Sequence, residues 1–116
     1  MSLEVVTSAQ YRKSLKRIKK RGIDLTPLNA IVNLLSSRNL TSEEIHEYRD
    51  HPLNGQYKGY RGIHIGGTKS DWALIYKKRG DTVTLEITEL YLLDTGTHVD
   101  LNIDESVSIS DGLIFI

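Results

Sequence analysis

Apolar residues recur at two spacings along this chain, and the change comes near Pro52. Before it, Tyr11, Leu15 and Ile18 stand at helical spacing, and so do Leu28, Ile31, Val32 and Leu35. The first set predicts a helix from Ser8 to Arg21 that stops at Gly22. The second predicts a helix within "DLTPLNAIVNLLSSRN", capped by Thr26 and with Pro27 in its first turn. Thr41 and Glu44 have capping-box spacing for a short third helical turn. "LEVV" (Leu3 to Val6) predicts an opening strand. After Pro52 the segments "YRGIHI", "DWALIYKK" and "TVTLEITELYLL" are rich in β-branched and aromatic residues and predict three more strands. "KRGD" (Lys78 to Asp81) is the expected hairpin tip between the last two. In the last segment Val83, Leu85 and Ile87 share one parity and Leu90 and Leu92 the other, which calls for a bulge near Glu89 or burial on both faces. One strand, a helical pair and then a meander make an α+β domain, with helices against one face of a mainly antiparallel sheet.

Composition narrows the class. The 116 residues suit one domain with a real core. There is no cysteine, hence no disulfide framework and no Cys-based zinc site. No apolar run approaches the roughly 20 residues of a membrane span. "MSLEVVTSAQ" lacks the pattern of a signal peptide, so a cytoplasmic location is the expectation. The formal net charge of zero hides an asymmetry. Arg12, Lys13, Lys16, Arg17, Lys19, Lys20 and Arg21 crowd the first helix without an acid among them. After His98, Asp100, Asp104, Glu105 and Asp111 occur without a Lys or Arg. The basic run is either a solvated face or a track for a polyanion.

The strands carry the candidate chemistry. Ile63 and Ile65 share a parity, so with both against the helices His64 stands on the other face of the sheet. His51 precedes Pro52 at the entrance to the sheet. Asp71 and Trp72 open the next strand, and His98 lies just past the long one. A meander brings such strand ends together. Histidine titrates near neutral pH, so one ring can accept a proton while another donates one. RNA cleavage without a metal needs that division of labour. A base takes the proton of the ribose 2′-OH, an acid protonates the leaving 5′-oxygen, and Lys or Arg stabilises the phosphorane. Trp72 or Tyr60 is suited to stack on a base. A metal site built from the histidines and Asp71 is the competing chemistry, but no HExxH or comparable close spacing is present.

"DHPLNGQYKGYRGIHI", "DWALIYK" and "TGTH", in that order, resemble the YafQ branch of the RelE/ParE toxin superfamily. The resemblance runs from the first helix to about Leu101. It implies a RelE/ParE-like fold and a small endoribonuclease, the toxin of a type II toxin–antitoxin pair. Such a toxin cleaves mRNA on the translating ribosome without a metal or other cofactor, and a cognate antitoxin neutralises it. His51, His64, Asp71, Trp72 and His98 match the catalytic positions, with His51 and His98 expected to do the acid–base work. Lys58 and Arg61 are then phosphate contacts beside Tyr60. Lys16, Arg17, Lys19 and Lys20 are expected to meet ribosomal RNA. Little cutting of free RNA is expected.

The chain departs from that pattern at several places, and the strand before "TGTH" is also longer than usual. "GGTKS" lengthens the link between His64 and Asp71. Asp94 stands where the family often has a base, and Asn102 where it has a phenylalanine. Residues 102–116 extend beyond a toxin domain of 1–101, and their acidic and apolar character suggests docking or self-association. These changes predict weakened cleavage or an altered substrate preference. They leave room for a catalytically inactive module on the same fold that binds antitoxin, RNA or ribosome. A gyrase-directed toxin is the third reading, and the histidine set argues against it.

Overall fold

In the computed structural model, residues 2–66 and 70–101 are described, at 98 and 99 by their backbone only. The elements are β1 (Glu4–Thr7), α1 (Ala9–Lys20), α2 (Thr26–Ser37), α3 (Ser42–Glu47), β2 (His51–Pro52), β3 (Arg61–His64), β4 (Trp72–Gly80), β5 (Ile87–Thr97) and a final helical turn, α4 (His98–Leu101). A 3-10 turn at Gly55–Tyr57 lies between β2 and β3. The sheet order is β1-β5-β4-β3-β2. Three antiparallel pairings form the meander, and β1 joins the edge parallel to β5. This is the expected α+β arrangement.

The helix ends follow local chemistry. Ser8 caps α1 by accepting from the Tyr11 N–H at 2.9 Å, and its own hydroxyl donates to the Leu93 carbonyl. Gly22 ends that helix in the left-handed conformation, at φ 78°. For α2 the cap differs from the expectation. Thr26 is already helical, and the Asp24 carboxylate accepts from both its N–H and its hydroxyl. At α3 the capping box between Thr41 and Glu44 forms in full.

The principal core lies between the helices and one face of the sheet. Tyr11, Leu28, Ile31 and Leu35 pack there against Ile63, Ile65, Leu74, Tyr76, Leu90 and Leu92. The parity change in the last strand is a register shift. Arg79 pairs with Glu89 but Gly80 with Ile87, which leaves Thr88 between them. The strand itself starts later than expected, at Ile87, and runs through "DTGT". Val83 and Leu85 are exposed in the connection, and Leu85 has a left-handed backbone (φ 62°). The hairpin tip is therefore residues 81–86 rather than "KRGD", because Lys78, Arg79 and Gly80 stay paired in β4.

Candidate active site

Strand alternation decides which residues share a face. His51 pairs with Gly62, and His64 with Ala73, which in turn pairs with Gly96. Ile63 and Leu74 face the helices, so His51, His64, Ala73 and Gly96 lie on the opposite face. His51 is a diagonal neighbour of His64, roughly 7–8 Å away by sheet geometry. His64 and Gly96 are two strand spacings apart, about 10 Å. The turn α4 folds back over Gly96. A Cβ built there would stand 3.0 Å from the Asp100 Cβ, so α4 leaves little room for a side chain at that position. The start of α4, where His98 sits, is thereby brought to the same end of the same face.

That face is not open to solvent. A second apolar cluster of Leu53, Ala73, Ile75 and Leu101 covers part of it, with Tyr57, Tyr60 and Leu93 at its margin. Two hydrogen bonds hold the cover: Leu53 N–H to the Tyr60 carbonyl, and the Tyr57 hydroxyl to the Leu101 carbonyl, at 2.9 and 2.8 Å. His64 is consequently only 3% exposed.

The His51 and His64 rings are both oriented by carbonyls. His51 Nδ1 lies 2.6 Å from the Arg49 oxygen, and His64 Nδ1 lies 2.8 Å from the Ser70 oxygen. A carbonyl only accepts, so Nδ1 carries the proton in each. In the neutral ring Nε2 is then the basic nitrogen. Arg49 adopts a left-handed backbone (φ 51°), an uncommon conformation for a non-glycine residue, and in it presents its carbonyl to His51. The His64 N–H is itself fixed on the Tyr48 carbonyl at 2.8 Å.

Asp50, beside His51, is the hub the sequence did not single out. Only 7% exposed, it accepts from the Tyr76 hydroxyl at 2.5 Å and from Arg61 Nε and Nη2 at 3.0 and 2.9 Å. Burial first, and then the Asp50 carboxylate, push the Tyr76 hydroxyl far above its ordinary pKa. Arg61, expected on phosphate, thus already has a carboxylate partner. Its side chain is still 41% exposed. A carboxylate in "RDHPL" gives no sign of its burial until Arg61 and Tyr76 are seen paired across β3 and β4.

The other expected site residues are placed as follows. Asp71 stands exposed just before β4. Trp72 faces the helices. It packs against the principal core and donates its indole N–H to Thr95 Oγ1 at 2.9 Å. Lys58 is exposed on the covering loop. Tyr60 is half-buried, with Lys77 Nζ 4.6 Å above its ring. Lys16, Arg17, Lys19 and Lys20 are all exposed on α1. The far end of that helix reaches the site, since Arg21 Nη1 lies 3.7 Å from Asp100 Oδ2 in α4. The Thr97 N–H holds the Asp100 carboxyl below its ordinary pKa against partial desolvation, and the charges of Arg17 and Arg21 add to the effect.

Asp94, which stands where the family often has a base, is buried and partnered. It is 8% exposed, and one oxygen accepts from the Ser14 hydroxyl at 2.5 Å and the Thr95 N–H at 2.8 Å. It fastens β5 to α1. Most of "GGTKS", Asn102 and the extension 102–116 lie outside the described residues. Among the described residues, no three or more His, Cys, Asp and Glu come together as a metal-binding group. No described helix is long and apolar enough to cross a membrane.

Residues 3–103 match the family model described as the bacterial toxin of type II toxin–antitoxin system, YafQ. The chain is 36% identical over 98 residues to the mRNA interferase toxin YafQ of Escherichia coli (strain K12), spanning 84% of this chain and 94% of that protein. The crystal structure of YafQ from E. coli strain BL21(DE3) matches with a TM-score of 0.67 and 33% identity, over 85% of this chain and 97% of that one. The YafQ-like fold also matches the crystal structure of the E. coli DinJ–YafQ toxin–antitoxin complex, with a TM-score of 0.65, 35% identity, and 87% and 98% of the two chains covered.

Proposed function

The chain belongs to the YafQ toxin family of type II toxin–antitoxin systems, and from that membership we infer that it is an endoribonuclease that cuts mRNA and is neutralised by a cognate antitoxin. The observation that carries the chemistry is the shared orientation of His51 and His64. Each turns Nδ1–H to a carbonyl, which makes Nε2 the basic nitrogen of the neutral ring.

In our reading, one Nε2 takes the proton of a ribose 2′-OH. The freed oxygen attacks the adjacent phosphate, and the bond to the 5′-oxygen breaks. A protonated histidine gives its proton to that leaving oxygen. The products are a 2′,3′-cyclic phosphate and a 5′-hydroxyl. We assign the acid–base work to His51 and His98, with His64 and Asp71 supporting or sharing it. Lys58 and the exposed part of Arg61 meet phosphate, and Tyr60 meets a base. The role in the site left to Trp72 is to shape the end of the sheet. The cations of α1 bind ribosomal RNA and lead it towards α4. The toxin domain is residues 1–101, and it acts in the cytoplasm, on the ribosome, without a metal.

End chemistry tests this reading. A translation extract is given the protein and a message, either ribosome-bound or free, and the cut ends are analysed. Cyclic phosphate and 5′-hydroxyl ends, confined to ribosome-bound message, are expected. Ends with 5′-phosphates would point to metal-assisted hydrolysis, and equal cutting of free message would remove the ribosome from the account.

A further inference from the structure

The chain passes from α3 into the strand of His51 through one tight turn. Two hydrogen bonds close it as a C-terminal helix cap. The Asp50 N–H donates to the Ile45 carbonyl at 3.0 Å, and the Arg49 N–H to the His46 carbonyl at 3.3 Å. Such a cap needs one residue in the left-handed region, which glycine usually supplies and asparagine sometimes does. Here it is Arg49. An arginine keeps that backbone only where its surroundings dictate it. The residue after it commonly makes an apolar contact in such caps. Here that residue is the buried carboxylate Asp50.

Asp50 is held through both side chain and backbone. The Tyr76 hydroxyl donates to Oδ1 at 2.5 Å, and Arg61 Nε and Nη2 lie 3.0 and 2.9 Å from Oδ2. Arg61 Nη2 also reaches the Asp50 carbonyl, at 3.5 Å. Arg61 and Tyr76 are paired across β3 and β4, so the carboxylate is tied to the sheet. The peptide unit that joins Arg49 to Asp50 is trans, and its C=O therefore points away from its N–H. With the N–H on Ile45, the carbonyl is turned to the other side. There it accepts from His51 Nδ1 at 2.6 Å. His51 itself is fixed in register against Gly62. The orientation of one peptide plane thus decides how the His51 ring is held.

We propose that Asp50 is a positioning residue for His51. Anchored on Tyr76 and Arg61, it keeps the Arg49–Asp50 peptide turned so that its carbonyl holds the ring, and it acts without touching RNA. The proposal rests on the ribonuclease reading of His51. It gives a part to a buried carboxylate that the acid–base steps leave unused. A carboxylate that only stabilised the fold would be indifferent to the backbone preference of residue 49.

A double-substitution cycle tests that difference. The kcat and KM for cutting ribosome-bound message are measured for the wild type, Tyr76→Phe, Arg49→Gly and the pair. Tyr76→Phe leaves its ring in the core and removes one anchor of Asp50. Glycine adopts the left-handed backbone without steric cost, so a chain with Arg49→Gly depends less on the anchor. Tyr76→Phe alone should lower kcat roughly ten-fold with KM nearly unchanged, within what misplacing a reacting group costs. In the Arg49→Gly chain the same change should lower kcat by no more than about two-fold. Equal falls in both chains, or no fall in either, would overturn the proposal. Should Arg49→Gly fail to fold, Arg49→Asn carries the same comparison, because asparagine also tolerates that backbone. His51→Ala is the reference. If it cuts as well as the wild type, the reading of His51 fails and the proposal with it. If it is inactive while the two other changes simply add, the positioning role alone fails.

Discussion

On the side of α1 and α2, the sheet and helices bury ten residues in one cluster among the described residues, from Tyr11 to Leu92. On the other side the corresponding cluster has four, and a short loop and one helical turn provide the cover. The first side uses regular periodicity and capped helices. The second uses a two-residue strand, a left-handed Arg49, and side chains fastened to backbone carbonyls. The comparison teaches how the fold divides its work. Apolar burial secures the frame, and polar anchoring places the rings to which we assign proton transfer.

If that division is right, damage to the two sides should differ in kind. Leu74→Ala removes a fully buried side chain from the helix-side core, and should destabilise the fold by about 3–5 kcal/mol. Chemical denaturation measures it, and a loss under 1 kcal/mol would break the comparison. His51→Ala should lower cutting of ribosome-bound message by roughly 10²–10⁴-fold, while stability changes by only about 1 kcal/mol, the worth of one hydrogen bond. A large stability loss with cutting retained would reverse the roles of the two sides.

Tyr76→Phe probes the junction between them. It removes one donor from buried Asp50 and should destabilise by about 1–3 kcal/mol. Because Asp50 adjoins His51, cutting should fall too, and the ¹⁵N shifts of the His51 ring should report a loosened Nδ1–H bond. Unchanged shifts would detach Asp50 from the site. The smallest effect concerns α3. The Arg38 guanidinium and then the Thr41 N–H hold the exposed Glu44 carboxyl at about 2, against an ordinary 4.5. A depressed carboxyl contributes stability that is fully present above its unfolded value and lost as pH falls through its folded one. Fraying of α3, followed by amide exchange, should thus grow as pH drops from about 4.5 towards 2. It should be absent from that window in Glu44→Gln.

Legibility in the sequence followed the same boundary. Helical spacing of Leu28, Ile31 and Leu35 is set by one local period, and so was readable. The same holds for the strands carrying Ile63 and Leu74, and for the register shift near Glu89, which the parity change announced. The fold class and the family followed from such features and from ordered motifs. The cover over His64 was not readable, because it depends on Leu53 and Leu101 meeting across the sheet from segments 48 residues apart in sequence. The Asp50–Tyr76–Arg61 network was hidden for the same reason. Trp72 had the right composition for a stacking residue, yet β4 pairing turns it towards the helices. Thr26 looked like a cap, but it already lies inside the helix, and its own N–H donates to the Asp24 carboxylate.

The most direct test of the central claim is induced expression in bacteria of the wild type and His98→Ala, with mRNA ends mapped. The account predicts growth arrest with cuts in translated messages for the wild type, and neither for a folded His98→Ala. Arrest without cuts, or cuts that persist at full level in His98→Ala, would contradict it.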